Sequence, residues 1–415
     1  MDLKSVYKSE ETSISMKGSV LQTARRSPII YLDNNATTPL LPEARAAMEE
    51  FYFDNFANTS SSHAAGSRAK SSAEKARSEM AAFLNADAEE IIFTSGASES
   101  LNLAIFGFKG LSSENLSGKT IVTTAIEHHA VLNPFLELEK HGARVLFIKP
   151  RADGVVHPED LESAVSGIEK IDLAAFMLVN NETGAIQPVE KLAAIVKEKG
   201  AAVLCDAVQG FGKIAIDVDV MGVDMLALSA HKFYGPKGTG LLYLRRGTRL
   251  SPRVLGGGHE FGFRAGTLNV ASIAAMASAA SAAISDISKR SSHCEILRDY
   301  LYNKFEIFKK ENILIRYNSP KDSSVASTVN VSFRDTDAGS ILEYLSARSI
   351  MVSAGSACNS SGGATMSHVI EAAGTPLEYG MGSIRISFGI YNEKRDIDVL
   401  TSALLEFFGK DQYGK

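Results

Sequence analysis

The chain has 415 residues, 45% apolar and 22% charged, with 43 Lys+Arg against 48 Asp+Glu and a formal charge of −5. That balance suits a soluble globular chain of two or three packed domains and offers no broad basic field for nucleic acid or anionic lipid. No stretch reaches the roughly 18 consecutive apolar residues of a membrane span, and Cys205, Cys294 and Cys358 are too few and scattered for a disulfide framework or a four-thiolate metal site, so a reducing, cytoplasmic setting is expected.

Residues 1–28 carry Asp2, Glu10 and Glu11 without an apolar core of signal-peptide length, and read as a polar N-terminal extension. From residue 29 onward, short apolar runs at 90–93, 121–122, 145–148, 174–179, 203–205, 224–228 and 241–244 read as strands, most of them buried on both faces. Between them, 64–84, 130–140 and 189–199 carry apolar residues at helical spacing, the last stopping at Gly200, a plausible left-handed cap. This alternation predicts an α/β domain with a mainly parallel sheet over 29–268. After 268 the texture changes to an Ala- and Ser-rich helix at 271–287, then to helices with strands near 327–333 and 384–388, which predicts a smaller α+β domain over 269–415.

Polar residues gather just past the ends of the buried strands, where ligands bind in open parallel sheets. The segment 93–100 runs from strand through Thr94-Ser95-Gly96-Ala97-Ser98 into a helix and offers backbone N–H groups and hydroxyls to an anion, although an ordinary capped turn has the same pattern. Asp206 emerges from a buried strand end, where a carboxylate needs a cation or several donors. Lys232 stands between a strand end and a Gly/Pro-bounded loop, a setting that desolvates an amine and suits it to a Schiff base; alone, the two residues read more readily as a structural ion pair. His128 follows the strand at 121–122. Phosphate cradle, strand-end Asp and loop Lys together suit pyridoxal 5′-phosphate, with phosphate in the cradle, ring nitrogen on Asp206 and aldehyde on Lys232.

Segments 31–39, 93–100, 229–238, 256–260 and 264–269, with Glu127-His128-His129-Ala130-Val131, Asn180-Asn181-Glu182-Thr183-Gly184, Asp206-Ala207-Val208-Gln209 and Gly355-Ser356-Ala357-Cys358, stand in the order found in cysteine desulfurases. Over about residues 30–400 the chain resembles the NifS-like members of the class V aminotransferases. The resemblance implies a pyridoxal-phosphate-dependent fold of type I, with a large domain built on a mainly parallel seven-stranded sheet and a smaller α+β C-terminal domain carrying the catalytic cysteine. It implies conversion of L-cysteine to L-alanine, with sulfur left as a persulfide on Cys358 and passed to an acceptor such as an iron–sulfur scaffold or another thiolation protein.

Through the same resemblance Lys232 is the Schiff-base lysine and Cα base, Asp206 pairs with the ring nitrogen, His128 stacks on the ring, and Asn181 and Gln209 bond near the ring hydroxyl. Ala97, Ser98, Ser229 and His231 hold the phosphate, and Arg385, with Asn181, binds the substrate, its guanidinium fork suiting a carboxylate. Thr267 reaches the phosphate of the neighbouring subunit, which implies a homodimer with shared active sites; no metal is expected. Three departures stand out: Ser98 where Thr is usual, Thr59 where Pro is more common, and 364–368 where an acidic-Pro-Ser element often follows the cysteine. Cys358 sits in a small, polar, glycine-containing stretch that reads as an exposed loop, whereas Cys205 reads as a core residue and Cys294 as a helix residue. Selenocysteine lyase, another class V lyase or aminotransferase, and a catalytically inactive interaction subunit are the competing readings.

Overall fold

The computed structural model describes residues 29–111, 114–355 and 365–411. The extension 1–28 and Cys358 lie outside the described residues. In chain order the elements are β1 (Ile30–Tyr31), α1 (Pro42–Phe53), α2 (Ala64–Ala82), β2 (Ile91–Thr94), α3 (Ala97–Gly107), β3 (Thr120–Thr124), α4 (His129–Lys140), β4 (Arg144–Ile148), α5 (Pro158–Val165), β5 (Leu173–Met177), α6 (Val189–Lys197), β6 (Ala202–Asp206), β7 (Met225–Ser229) and β8 (Gly240–Leu244). They continue with α7 (Val270–Ser285), α8 (Ile287–Lys310), β9 (Ile315–Tyr317), β10 (Thr328–Phe333), α9 (Ala338–Ser346), β11 (Ile350–Met351), β12 (Ser353–Ala354), α10 (His368–Ala372), α11 (Leu377–Gly380), β13 (Ser383–Ser387) and α12 (Lys394–Asp411).

Seven strands form one sheet in the order β2-β8-β7-β6-β5-β3-β4. β8 runs antiparallel to both its neighbours, and every other pairing is parallel. β5, β7 and β8 are buried at every position, which is why their sequences are continuous apolar runs rather than alternating ones. One face of the sheet packs on α3 and α4 through Leu101, Ile105, Val131 and Phe135. The other packs on α2, α5, α6 and α7 through residues such as Met80, Leu161, Leu192 and Met276. Parallel order brings the C-terminal ends of β2, β3, β5, β6 and β7 to a single edge, and there the chain leaves each strand for a loop or helix N-terminus.

A second core forms around the antiparallel sheet β12-β13-β10-β9, with Leu297, Phe305, Val329, Phe333, Ile384 and Leu400 at its centre. The expected boundary at 268 does not coincide with this change of core. α7 buries Ile273, Met276 and Ala280 in the larger core, and the second begins with Cys294 on α8. The Ala-rich sequence of α7 explains its place, since small side chains let it pack closely against α1 and α2. Conversely Leu32, far from the smaller domain in sequence, belongs to its core, and β1 pairs in parallel with β11. No single helix among the described residues is long and apolar enough to cross a membrane.

Candidate active site

The junction of β2 and α3 is tight because two backbones meet there. Gly96 has φ +151°, a conformation L side chains rarely adopt, and a Cβ on Gly240 of β8 would stand 2.6 Å from Gly96 Cα. No side chain caps α3, so the first-turn N–H groups, those of Ala97 and Ser98 among them, point out of the helix without intrahelical acceptors. Ser229, at the end of β7, and His231 line the same cavity, whose volume is about 610 Å³. His231 Nδ1 lies 3.1 Å from Thr37 Oγ1. Burial, with Lys232 and Lys237 nearby, lowers its pKa to about 4, so the ring is neutral and offers one N–H. Helix N-terminus, hydroxyl and neutral imidazole make a cradle for a dianionic oxyanion.

Lys232 follows in the short turn after β7, and its Nζ donates to Asn35 O at 2.6 Å and Ala36 O at 2.9 Å. These two backbone carbonyls orient the amine at the floor of the turn. Asp206 ends β6, 7% exposed. Its Oδ1 accepts the Val208 N–H at 3.1 Å, and no side-chain cation among the described residues lies within ion-pair distance. Burial raises its pKa to about 6, a rise moderated by the Val208 bond and the charge of Lys232. A buried carboxylate in this state is suited to a cationic N–H arriving with a ligand. His128 is the N-cap of α4: its Nδ1 accepts the Ala130 N–H at 3.0 Å, which fixes the tautomer and the ring orientation. Burial first, then Lys232, lowers its pKa to about 4, so a neutral, flat ring forms one wall.

At the side nearer the smaller domain, Gln209, Asn181 and Arg385 line the cavity. Gln209 Nε2 donates to Asn35 O at 2.9 Å. The Asn181 side chain has no hydrogen-bond partner among the described residues, while its carbonyl accepts from Arg385 Nη1 at 3.0 Å. Arg385 Nη2 donates to Asp33 Oδ1 at 2.7 Å, and its buried Nε has no partner among the described residues. The strand β13 thus brings a guanidinium with a spare donor to the mouth of the larger domain's cavity.

Of the residues singled out from the sequence, Ala97, Ser98, His128, Asn181, Asp206, Gln209, Ser229, His231, Lys232 and Arg385 share this cavity. Thr267 does not: it is exposed and away from the lining of its own chain's cavity. Cys358 lies outside the described residues, but Gly355 and His368, on either side of it in sequence, both line the cavity. Cys205 and Cys294 are buried, and burial pushes both thiols above the usual range, that of Cys294 to about 11. Sequence reasoning gave no role to Asn35, Glu127, Glu182 and Lys213: Asn35 and Glu182 line the cavity, Lys213 donates to Asn35 and Gln209, and Glu127 accepts from Thr124 and Met177. Asn35, Glu127 and Glu182 sit inside quoted motifs, yet nothing in a single sequence separates a motif residue that touches a ligand from one that supports it.

The family model for class V aminotransferases matches residues 30–400. A protein named cysteine desulfurase IscS from Dictyoglomus turgidum is 41% identical over 375 residues, covering 90% of this chain and 93% of that relative. A protein of the same name from Methanosarcina thermophila is 38% identical, covering 92% of each. Among solved structures, a NifS-like protein superposes with a TM-score of 0.84 at 35% identity, covering 92% of this chain and all of that one. A structure titled SspA in complex with cysteine matches with a TM-score of 0.75 at 35% identity, covering 88% and 99%. With the sheet order, the strand-end cavity and this likeness along nearly its whole length, the chain belongs to the class V aminotransferase family and groups within it with the cysteine desulfurases.

Proposed function

We propose that the cavity holds pyridoxal 5′-phosphate on Lys232 and that the protein converts L-cysteine to L-alanine, passing the sulfur to Cys358. The observation that carries the reading is the convergence of the Lys232 amine, the buried Asp206 carboxylate and the uncapped N-terminus of α3 in one cavity of about 610 Å³. These residues fit the cofactor: the α3 cradle suits its phosphate, Asp206 its ring nitrogen and the neutral His128 ring its face. Once bound, the cofactor supplies an electron sink for charge developing at the substrate Cα. Each residue's part follows from its setting. Arg385 holds the substrate carboxylate, its unpartnered Nε and fork of donors matching two oxygens. Asp206, ionised beside a cationic ring nitrogen, keeps that proton in place. Lys232 Nζ, once released, takes the Cα proton and returns it on the other side of the reaction. The Cys358 thiolate attacks the substrate sulfur, so an S–S bond forms as the C–S bond breaks, and cysteine plus enzyme thiol become alanine plus enzyme persulfide.

The solved relative in complex with cysteine supports cysteine as substrate. The placement of Thr267 on the surface supports a homodimer in which it serves the neighbouring subunit's phosphate. Small thiolation or iron–sulfur assembly proteins in the cytoplasm are the acceptors proposed for the persulfide. Cys358→Ser separates the parts of this reading. The variant is expected to retain the cofactor on Lys232, seen by borohydride reduction and peptide mapping, while alanine release falls at least ~100-fold. Wild-type protein trapped after one turnover is expected to carry one extra sulfur on the Cys358 peptide; alanine formation at the wild-type rate in the serine variant would refute the sulfur step.

A further inference from the structure

Lys213 lies four residues beyond Gln209 in the turn after β6, and it is a lysine without an acid. Its Nζ donates to Asn35 Oδ1 at 2.9 Å and to Gln209 Oε1 at 2.8 Å, and no carboxylate among the described residues is within ion-pair distance. An ammonium has donors only, so both amides must turn their oxygens towards it. For Asn35 the consequence is structural, since its Nδ2 then meets Thr328 Oγ1 at 2.9 Å and Asn181 O at 3.2 Å. For Gln209 it is chemical. One N–H of its Nε2 goes to Asn35 O, the same oxygen that receives Lys232 Nζ, and the other is left to the cavity that Gln209 lines.

We propose that Lys213 is a positioning residue: it locks Gln209 so that an N–H, never the amide oxygen, faces the cofactor's ring oxygen, which is thereby held in its ionised form. This rests on the reading that the cavity holds pyridoxal phosphate. The charge balance around Lys213 supports it. Burial first, then the charges of Lys232 and Arg385, lower its pKa to about 7 in the cofactor-free protein, with the Cys294 thiol acting the other way; in the loaded site an ionised ring oxygen and the phosphate add negative charge, which raises that pKa again and keeps Lys213 an ammonium. A neutral side chain at this position would escape that cost, so a lysine here serves something other than packing.

The test titrates the visible absorbance of the cofactor-loaded protein across neutral to alkaline pH in wild type, Lys213→Met, Lys213→Arg, Gln209→Met and the Lys213→Met/Gln209→Met pair. Lys213→Met is expected to raise the midpoint by about one unit, because the ring oxygen loses a fixed donor and a neighbouring cation. Lys213→Arg should restore most of the difference. In the Gln209→Met background the Lys213→Met shift should shrink by at least half, since its route runs through the missing amide. An unchanged midpoint in Lys213→Met, or a full shift persisting without Gln209, overturns the proposal. Should Lys213→Met fail to fold, Gln209→Met alone decides: an upward shift supports the donor at the ring oxygen, and an unshifted midpoint overturns it. If instead wild-type protein takes up no cofactor on Lys232, the underlying reading of the site falls and takes the proposal with it.

Discussion

At Glu127 the fold keeps a proton that the unfolded chain gives up. Oε1 accepts Thr124 Oγ1 at 2.7 Å and the Met177 N–H at 2.9 Å, while the buried Oε2 has no partner. Burial, opposed by those two bonds and reinforced by Asp206, raises the pKa from 4.5 to about 8. A carboxyl whose folded pKa is raised contributes stability that is full below its unfolded value and lost as pH rises through the folded one. The window here runs from 4.5 to about 8. Glu127→Gln keeps the shape and the acceptor but cannot ionise. The cofactor-free variant is therefore expected to gain on wild type by roughly 3–5 kcal/mol between the two ends of that window. Urea midpoints measured near each end would show it, and parallel pH profiles would refute it. His128 and His231 have the opposite sign, since burial lowers both to about 4 and protonating them costs stability as pH falls from 6.5.

One scale up, the described residues on either side of Cys358 in sequence meet one carboxyl, that of Glu182. The turn after β5 is built by Asn180, whose Oδ1 accepts the N–H groups of Glu182 and Thr183, both at 2.9 Å, and so presents Glu182 to the smaller domain. β12 leads into Gly355, where any Cβ would collide with Glu182 Oε2. On the far side, Ser367 caps α10 and donates through Oγ to Glu182 Oε2 at 2.5 Å, and His368 reaches Glu127 O at 3.0 Å. Both ends of the segment therefore meet the same carboxyl. Gly355→Ala is expected to displace that anchor while leaving the cofactor cradle intact. Alanine release should drop ~10-fold or more with cofactor affinity unchanged, because a shift of about 1 Å in a reacting group is enough for such a loss. Wild-type turnover in this variant, measured with cofactor titration alongside, would show that the contact has no bearing on Cys358.

For the whole molecule the question is where Thr267 acts. It is exposed, and the neighbouring loop presents Val254, Leu255 and Phe261 to solvent at 45%, 82% and 51%. Glu260, in the same loop, is held by Arg77 at 2.7 and 2.9 Å and by the Phe93 N–H at 2.5 Å, and the Arg77 guanidinium lies 5.0 Å from the Phe261 ring centre. An exposed apolar patch of this kind favours a protein partner, and a second copy of the chain is the partner proposed above. Mixed dimers of Lys232→Ala with Thr267→Ala test this. If Thr267 serves the neighbouring site, half the sites combine a native lysine with a native threonine and recover wild-type cofactor affinity. If it serves its own chain, every lysine-bearing site stays weak.

The sequence by itself determined the α/β class, the strands of the large sheet to within a few residues, and the 94–98 turn, His128, Asp206 and Lys232 past its strand ends, because doubly buried strands and strand-end motifs are local patterns; the other site residues came from the family resemblance. Residues 174–179 read as a strand, observed as Leu173–Met177, and 130–140 as a helix, observed as His129–Lys140. What it left open depends on distance in space. The Ala-rich stretch after 268 looked like the start of a new domain, yet α7 completes the first core, because which core a helix joins depends on partners some 200 residues away in α1 and α2. Likewise Lys213 and Asn35, 178 residues apart, meet only after β6 and the segment following β1 converge. Residue types carry the chemistry, and only tertiary packing decides which of them touch the ligand and which hold the others in place, since burial, amide orientation and proton state are properties of a surrounding that no single segment contains.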